Sequence, residues 1–338
     1  MTSTLATFLD TIPTTDPTLP TDHFQAWSNR SVIPEWTSAV NLYAAVEELG
    51  DESHLQRILS CRKEAWFVQN SETLEIRVAS KHCNLRWCPL CSESRQFFIT
   101  TQTTDWLKSC HHPKLLTLTL RHTSSPLKHQ IQFLYESFRQ LRKKSYFKKN
   151  VTGGIWFFQV KISKTDGNWH PHLHCTIDGN YLTFNKIQKL WIRITKGSKF
   201  LNIKPCTDIE RSAKHIARYA ARPADLADLE FDQGLELYYA LKSKRLVGSW
   251  GTARSLSFRP TKPPDAHLWK NIGSWTSVQA MRGIQQEADL IWKAFITNTP
   301  ASQILSLTYS DYSLGDWGKA ANPCPPVTEY LDFYNRGG

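Results

Sequence analysis

Apolar and polar residues change period several times along the chain, and each change marks an element. Residues 1 to about 35 carry Thr, Pro and Ser with little periodicity and read as a mostly disordered lead-in. From Glu35 to Leu49 the pattern becomes helical, and Gly50 stops it; a second helix is expected over Glu52–Leu59. Strand-like runs follow at Ala65–Gln69 and Thr73–Val78. Leu115–Leu120 alternates Leu and Thr, as a strand does. Lys128–Lys144 then sets Ile131, Leu134, Phe138 and Leu141 on one helical face. Gly153-Gly154 opens a strand over Ile155–Ile162, and Thr165-Asp166-Gly167-Asn168 has turn composition. The next strand, Trp169–Ile177, should pair antiparallel with it, because so short a turn permits nothing else. A helix over Phe184–Ile194, a strand over Phe200–Lys204, and helices over Asp208–Pro223, Gly234–Lys244 and Gln285–Phe295 complete the pattern. Residues beyond 260 are rich in Pro and Trp and carry no motif, and there is no internal repeat. The mixture predicts an α+β fold.

The candidate chemistry lies on these elements. In Trp169-His170-Pro171-His172-Leu173-His174-Cys175, strand alternation turns His172 and His174 to one face and Leu173 to the other. Two imidazoles so placed can share one metal ion. Gln159 is the odd polar residue of the preceding strand and sits where an oxygen ligand beside them would come from. On the Asp208–Pro223 helix, Tyr219 has Lys214, His215, Arg218 and Arg222 around it, with His215 and Arg222 one turn to either side. A tyrosine among cations is where a phosphotyrosyl intermediate would be stabilised. Cys83, Cys88 and Cys91 have the spacing of a zinc knuckle; the fourth ligand falls to Cys61 or His82, with Cys61 favoured. Arg139, Arg142, Lys143, Lys144, Lys148 and Lys149 form a basic run suited to a phosphate backbone.

Charge sharpens this picture. The 338-residue chain carries a net charge of +11 with a pI near 9.2, which favours a polyanion, nucleic acid ahead of a membrane surface. The first residues do not read as a signal peptide, and no stretch approaches the roughly 20 apolar residues of a membrane span. A cytoplasmic protein with no membrane partner is expected, its eight cysteines serving as thiols or metal ligands rather than disulfides.

Five stretches in this order resemble the rolling-circle replication initiators of small plasmids, within the HUH endonuclease superfamily. They are Cys83–Cys91, Leu115–Leu120, Trp169–Cys175, Lys214–Arg222 and Leu241–Gly248, and the resemblance covers residues 55–252. It implies a central five-stranded antiparallel sheet flanked by helices, with the histidine pair on the middle strand and the tyrosine facing it from a later helix. A zinc-knuckle-like element would precede this fold and a helical extension would follow it. The regions expected are 1–50, a flexible or helical start; 51–110, a cysteine-rich zinc element; 111–252, the endonuclease domain; and 253–338, an accessory region.

The resemblance also implies an activity. Tyr219 would nick single-stranded or hairpin origin DNA through a covalent 5′-phosphotyrosine, with Mg²⁺ or Mn²⁺ held by His172, His174 and Gln159. Host helicase and DNA polymerase would take over the free 3′ end. Where the family has a Glu one turn before the tyrosine and a Lys one turn after it, this chain has His215 and Arg222. The usual third metal ligand is a carboxylate, and here it is the amide of Gln159. Three other assignments remain: a single-tyrosine transposase or relaxase, a non-enzymatic zinc-containing DNA-binding regulator, and a zinc hydrolase built on His170, His172 and His174.

Overall fold

The computed structural model describes residues 34–61, 65–80, 82–164, 166–258 and 265–307. Nearly all of the expected disordered lead-in lies outside the described residues. In chain order the elements are α1 (Pro34–Glu48), α2 (Leu55–Leu59), β1 (Ala65–Asn70), β2 (Ile76–Ser80), α3 (Pro89–Lys108), β3 (Pro113–Thr119), α4 (Leu127–Lys143), α5 (Ser145–Asn150), β4 (Val151–Ile162), β5 (Trp169–Gly179), α6 (Phe184–Thr195), β6 (Leu201–Pro205), α7 (Ile209–Ala221), α8 (Phe231–Leu241), β7 (Val247–Gly251), β8 (Trp269–Ser274), α9 (Trp275–Met281) and α10 (Gln286–Thr297). The fold is α+β, as expected. Its described residues divide into two compact units, one within residues 41–52 and 86–258, the other within residues 34–40, 53–85 and 265–307. No helix among the described residues is long and apolar enough to cross a membrane.

The first unit is built on a five-stranded antiparallel sheet in the order β6-β3-β5-β4-β7, with β5 in the middle. Alternation gives its strands two different faces. Leu116, Leu118, Leu173, Cys175 and Ile177 are fully buried on one face, where α4 lies against β5 and brings Ile131, Leu134, Phe138 and Leu141. On the other face the residues change character along the strands. Ile155 and Phe157 of β4 join Ile99, Trp106 and Leu107 of α3 and Ala213, Ile216, Ala217 and Ala220 of α7 in one apolar cluster. Two residues further along β4 come Gln159 and Lys161. The helices cover the apolar half of this face, and the polar half is left for chemistry.

Several elements differ from the sequence pattern for local reasons. Helix α3 was not anticipated: Thr100-Thr101-Gln102-Thr103-Thr104 breaks any apolar stripe. It forms because Pro89 starts it and because Ile99, Trp106 and Leu107 find partners in the cluster. Strand β2 begins at Ile76 rather than Thr73, because the Asn70 side-chain oxygen accepts from the Glu72 and Thr73 amides and holds a turn. Helix α8 begins at Phe231 rather than Gly234, where a Glu230–Gln233 capping box starts it, and it ends at Leu241. The Arg86 guanidinium donates to the Leu241 and Lys244 carbonyls, so it secures the end of α8 before β7. Burial lowers the pKa of this guanidinium.

Strand β4 extends back through Gly153 and Gly154, which pair with Gly251 and Trp250 of β7. A methyl group on Gly154 would overlap the Trp250 ring and lie 2.5 Å from the Thr176 carbonyl oxygen. Gly154→Ala is therefore expected to destabilise the fold by roughly 1–3 kcal/mol through overpacking, read as a lower thermal midpoint. An unchanged midpoint would mean that the strands separate there without cost.

The second unit holds a three-stranded antiparallel sheet in the order β2-β1-β8. Residues 51–110 and 253–338 were read apart along the chain, yet both supply strands to it. Its core joins Phe67 and Ile76 to Ile272, Val278, Ile291 and Trp292. The fully buried Gln69 amide is satisfied from both ends: its nitrogen donates to the Leu74 and Gln303 carbonyls, and its oxygen accepts from the Leu305 amide at 2.6 Å.

Candidate active site

The polar half of the five-stranded sheet gathers three strands. His170, His172 and His174 project from β5 in alternation, Gln159 and Lys161 lie opposite His172 and His170 on β4, and Thr117 and Thr119 lie opposite His174 and His172 on β3. The Thr119 hydroxyl is 3.0 Å from His172 Nδ1, and the Thr117 hydroxyl is 3.2 Å from His174 Nδ1. With Nδ1 engaged, each ring is left with Nε2. His174 Nε2 lies 2.9 Å from Gln159 Oε1.

Helix α7 brings the phenol to this group. Asp208 caps the helix by accepting from the Arg211 amide at 2.9 Å, as expected of that residue. Its alanine-rich face lets the helix approach α3 and β4 closely. Tyr219 emerges at the edge of that packing, 6% exposed, with its ring stacked on His174 at 4.4 Å between centroids. Its hydroxyl is 3.0 Å from His215 Nε2 and accepts from Arg218 at 3.4 Å. The Arg218 guanidinium also lies over the Tyr219 ring, 5.1 Å from its centroid.

The electrostatics favour neutral imidazoles. Burial, then the neighbouring rings of His170 and His174, lowers the His172 pKa to about 3. Burial, then His215, lowers that of His174 to about 4. His215 is lowered too, by burial and then by Arg218 and Arg211. At neutral pH all three hold lone pairs rather than positive charge.

These residues fit a hard divalent cation. Neutral imidazoles and an amide oxygen all carry lone pairs for such an ion, and His174 Nε2 and Gln159 Oε1 already meet at hydrogen-bond distance, 2.9 Å. Among the described residues no Asp or Glu joins the histidine pair to make a group of three ligands. The oxygen available is that of the Gln159 amide. The rings of His170, His172 and His174 do not converge into such a group either, which removes the geometry a three-histidine zinc hydrolase needs. His170 instead lies between His172, whose tilted ring is 4.3 Å away, and His122, which meets it edge-on at 4.1 Å, and its buried Nε2 has no hydrogen-bond partner among the described residues. His122 Nδ1 in turn lies 3.3 Å from the Asp166 carboxylate.

Other expected residues fall at varied distances from this centre. Lys214 and Arg218 stand exposed on the helix of the tyrosine. Arg222 does not continue that helix: its φ of −129° and ψ of 90° are extended, because Pro223 excludes helical backbone in the residue before it. The basic run lies on α4 and α5, and α4 packs on the opposite face of the sheet from the histidines. Within that run, Arg139 pairs with Glu136, and Arg142 is half-buried over the rings of Phe138 and Trp250. Lys143, Lys144, Lys148 and Lys149 are exposed. Sequence reasoning missed Lys161, Thr117, Thr119 and the His122–Asp166 pair; the Leu/Thr alternation of β3 was the one available signal for the threonines.

The sulfurs of Cys61 and Cys83 lie within 4.8 Å of each other in one unit, and those of Cys88 and Cys91 within 4.8 Å of each other in the other; all four residues are buried. Cys61 thus stands with Cys83, whereas His82 lies 3.4 Å from the Ser80 hydroxyl. Two sulfurs at about 2.3 Å from a tetrahedral zinc would stand about 3.8 Å apart, so each pair suits that ion. The Leu85 amide donates to the Cys83 sulfur at 3.5 Å, a bond that favours a thiolate there.

The family model Rep_1, described as a replication protein, matches residues 75–267, a span that includes every residue from Gln159 to Arg222 discussed above. Protein rep of Streptococcus pneumoniae serotype 2 (strain D39 / NCTC 7466) is 25% identical over 263 residues, which cover 69% of this chain and 79% of that protein. Protein rep of Lactiplantibacillus plantarum is 24% identical over 224 residues, covering 55% of this chain and 71% of that protein. Both relatives are therefore matched over most of their length, although no solved structure gives a significant match. Because the matched span exceeds half of the 338 residues, the chain belongs to the Rep_1 replication protein family, in keeping with its resemblance to the rolling-circle initiators.

Proposed function

We propose that this replication protein nicks single-stranded DNA at a replicon origin, with Tyr219 as the nucleophile, and rejoins the strand by the reverse reaction. The observation that carries this reading is the Tyr219 ring stacked on His174 with its hydroxyl 3.0 Å from His215 Nε2. His215, kept neutral by its surroundings, takes the phenolic proton. The phenolate oxygen then bonds to phosphorus as the P–O3′ bond breaks, and the 3′ oxygen takes up a proton and leaves as a hydroxyl. The products are a 5′-phosphotyrosine and a 3′ end that can prime a polymerase. Arg218 offsets the charge that moves from the phenol to the phosphate. His172, His174 and Gln159 would hold Mg²⁺ or Mn²⁺, which when bound supplies a Lewis acid for the phosphate oxygens and orients them. Lys214 and Arg218 are assigned to the scissile strand. The exposed lysines on α4 and α5 are assigned to DNA flanking it, since α4 packs on the face of the sheet opposite the histidines. His215 would also activate the water or second acceptor that ends a round.

The test is direct. The chain is incubated with Mn²⁺ and end-labelled single-stranded oligonucleotides from its own replicon. A protein–DNA adduct that survives denaturation supports the reading. If oligonucleotides that tile the whole origin give none, the reading falls and the DNA-binding regulator replaces it.

The cysteine cluster is assigned a structural zinc ion. Metal analysis of the purified chain should find about one zinc per molecule, reduced in Cys88→Ser along with the thermal midpoint. A folded, zinc-free parent chain would defeat this assignment.

A further inference from the structure

The hydrogen-bond partners of the paired histidines are unusual for metal ligands. Metal-bound histidines commonly donate their second ring nitrogen to a carboxylate or a carbonyl. Here both second nitrogens meet threonine hydroxyls, brought there by the β3–β5 register: Thr117 opposite His174, Thr119 opposite His172. The arrangement is made twice, on alternate residues of one strand, with Leu116 and Leu118 fully buried on the other side to hold the register.

A hydroxyl differs from both common alternatives. A carbonyl or carboxylate only accepts, so it fixes the proton on Nδ1. A backbone amide only donates, so it fixes the proton on Nε2. A threonine hydroxyl does either, by rotation of one hydrogen. Both states are needed at this site. With no cation, His174 Nε2 faces the Gln159 amide oxygen at 2.9 Å. That oxygen accepts, so Nε2 carries the proton and Nδ1 must accept from Thr117. With a cation on Nε2, the proton must sit on Nδ1, and Thr117 must accept it. The ring passes from one state to the other without moving a heavy atom.

We propose that Thr117 and Thr119 are positioning residues of the cation site, whose hydroxyls hold the His174 and His172 rings by Nδ1, and that Thr117 lets the His174 ring exchange tautomer as the cation binds and leaves. This rests on the assignment of His172 and His174 as cation ligands. The β-branched methyl of threonine restricts χ1, so the oxygen is aimed before the cation arrives.

The experiment is a calorimetric titration of the full-length chain with Mn²⁺, without DNA, accompanied by thermal melts. Thr117→Val and Thr119→Val keep the shape and remove the hydroxyl. Each should weaken Mn²⁺ binding by about tenfold to a hundredfold, whereas Thr117→Ser and Thr119→Ser should bind close to the parent. Equal binding by the valine variants, alongside loss of binding in His174→Ala, overturns the proposal and leaves the histidine site intact. No binding by the parent overturns both. Should the valine variants fail to fold, the parent still decides the matter. Ring nitrogen-15 spectra of a labelled chain should show His174 moving from the Nε2–H to the Nδ1–H tautomer as Mg²⁺ is added, and a tautomer that does not change rejects the exchange.

Discussion

Tyr219→Phe removes one oxygen atom and is expected to lower formation of the covalent DNA adduct by at least about a thousandfold. The size of this effect follows from the proposed role, in which the oxygen is the bond-forming atom and no other group replaces it at the same place. The ring itself should stay where it is. Its stacking on His174 and its packing beside Ala217 and Ala220 involve carbon atoms that phenylalanine retains. The loss of two hydrogen bonds, to His215 and Arg218, should cost about 1–3 kcal/mol at most, so the variant folds. Mn²⁺ affinity should change little, because the phenol contributes a face rather than a ligand in this arrangement. Denaturing gels of the variant with labelled oligonucleotide read the first effect and calorimetry reads the last. A parent-like level of adduct would move the nucleophile elsewhere.

Acidification in the absence of divalent cations should weaken the fold over a window unusual for its carboxylates. His172 and His174 have folded-state pKa values lowered to about 3 and about 4, against about 6.5 for an unperturbed imidazole. Between pH 6.5 and 4 the unfolded chain therefore takes up protons that the folded chain does not. Stability rises with pH through that window and is lost as pH falls through it. For His174 alone the loss by pH 4 is roughly 3 kcal/mol. Thermal midpoints should fall steeply between pH 6.5 and 4.5, and His174→Gln should flatten the slope. If His172 and His174 hold the cation as proposed, saturating Mg²⁺ should raise the midpoint at the upper end of the window, since metal ligation needs an unprotonated ring. A flat profile in the parent would mean that both rings are solvated in solution.

The histidine pair was legible because strand alternation is a local property: residues 172 and 174 share a face whatever the strand pairs with. The antiparallel partner carrying Gln159 was legible for the same reason, as only a short turn separates the strands. Tyr219 is different. Its helix could be read, but its meeting with the histidines rested on the order of motifs, since nothing near residue 219 specifies what stands across from it. The threonines were hidden in plain view. A Leu/Thr alternation is ordinary strand material, and the register that sets each hydroxyl against an imidazole exists only once β3 lies beside β5. Arg222 was misjudged by one residue, because proline acts on the backbone before it as well as on its own. Helix α3 and strand β8 escaped notice because each is stabilised by partners far along the chain and hardly at all by its own pattern.

The pairing of β1 with β8 has a consequence for biosynthesis. These strands lie on either side of residues 86–260, so the polypeptide is nested: one unit is interrupted by the greater part of the other, whose remaining segment, residues 41–52, precedes β1. All five strands of the interrupting sheet have been made once the ribosome passes Gly251, whereas β1, the middle strand of its own sheet, waits for residues 269–274. The unit of the five-stranded sheet is thus free to mature first, while Phe67 and Val68 stay unshielded until the last strand emerges. A chain cut short before residue 269 leaves one edge of β1 without its partner, and such edges recruit other chains.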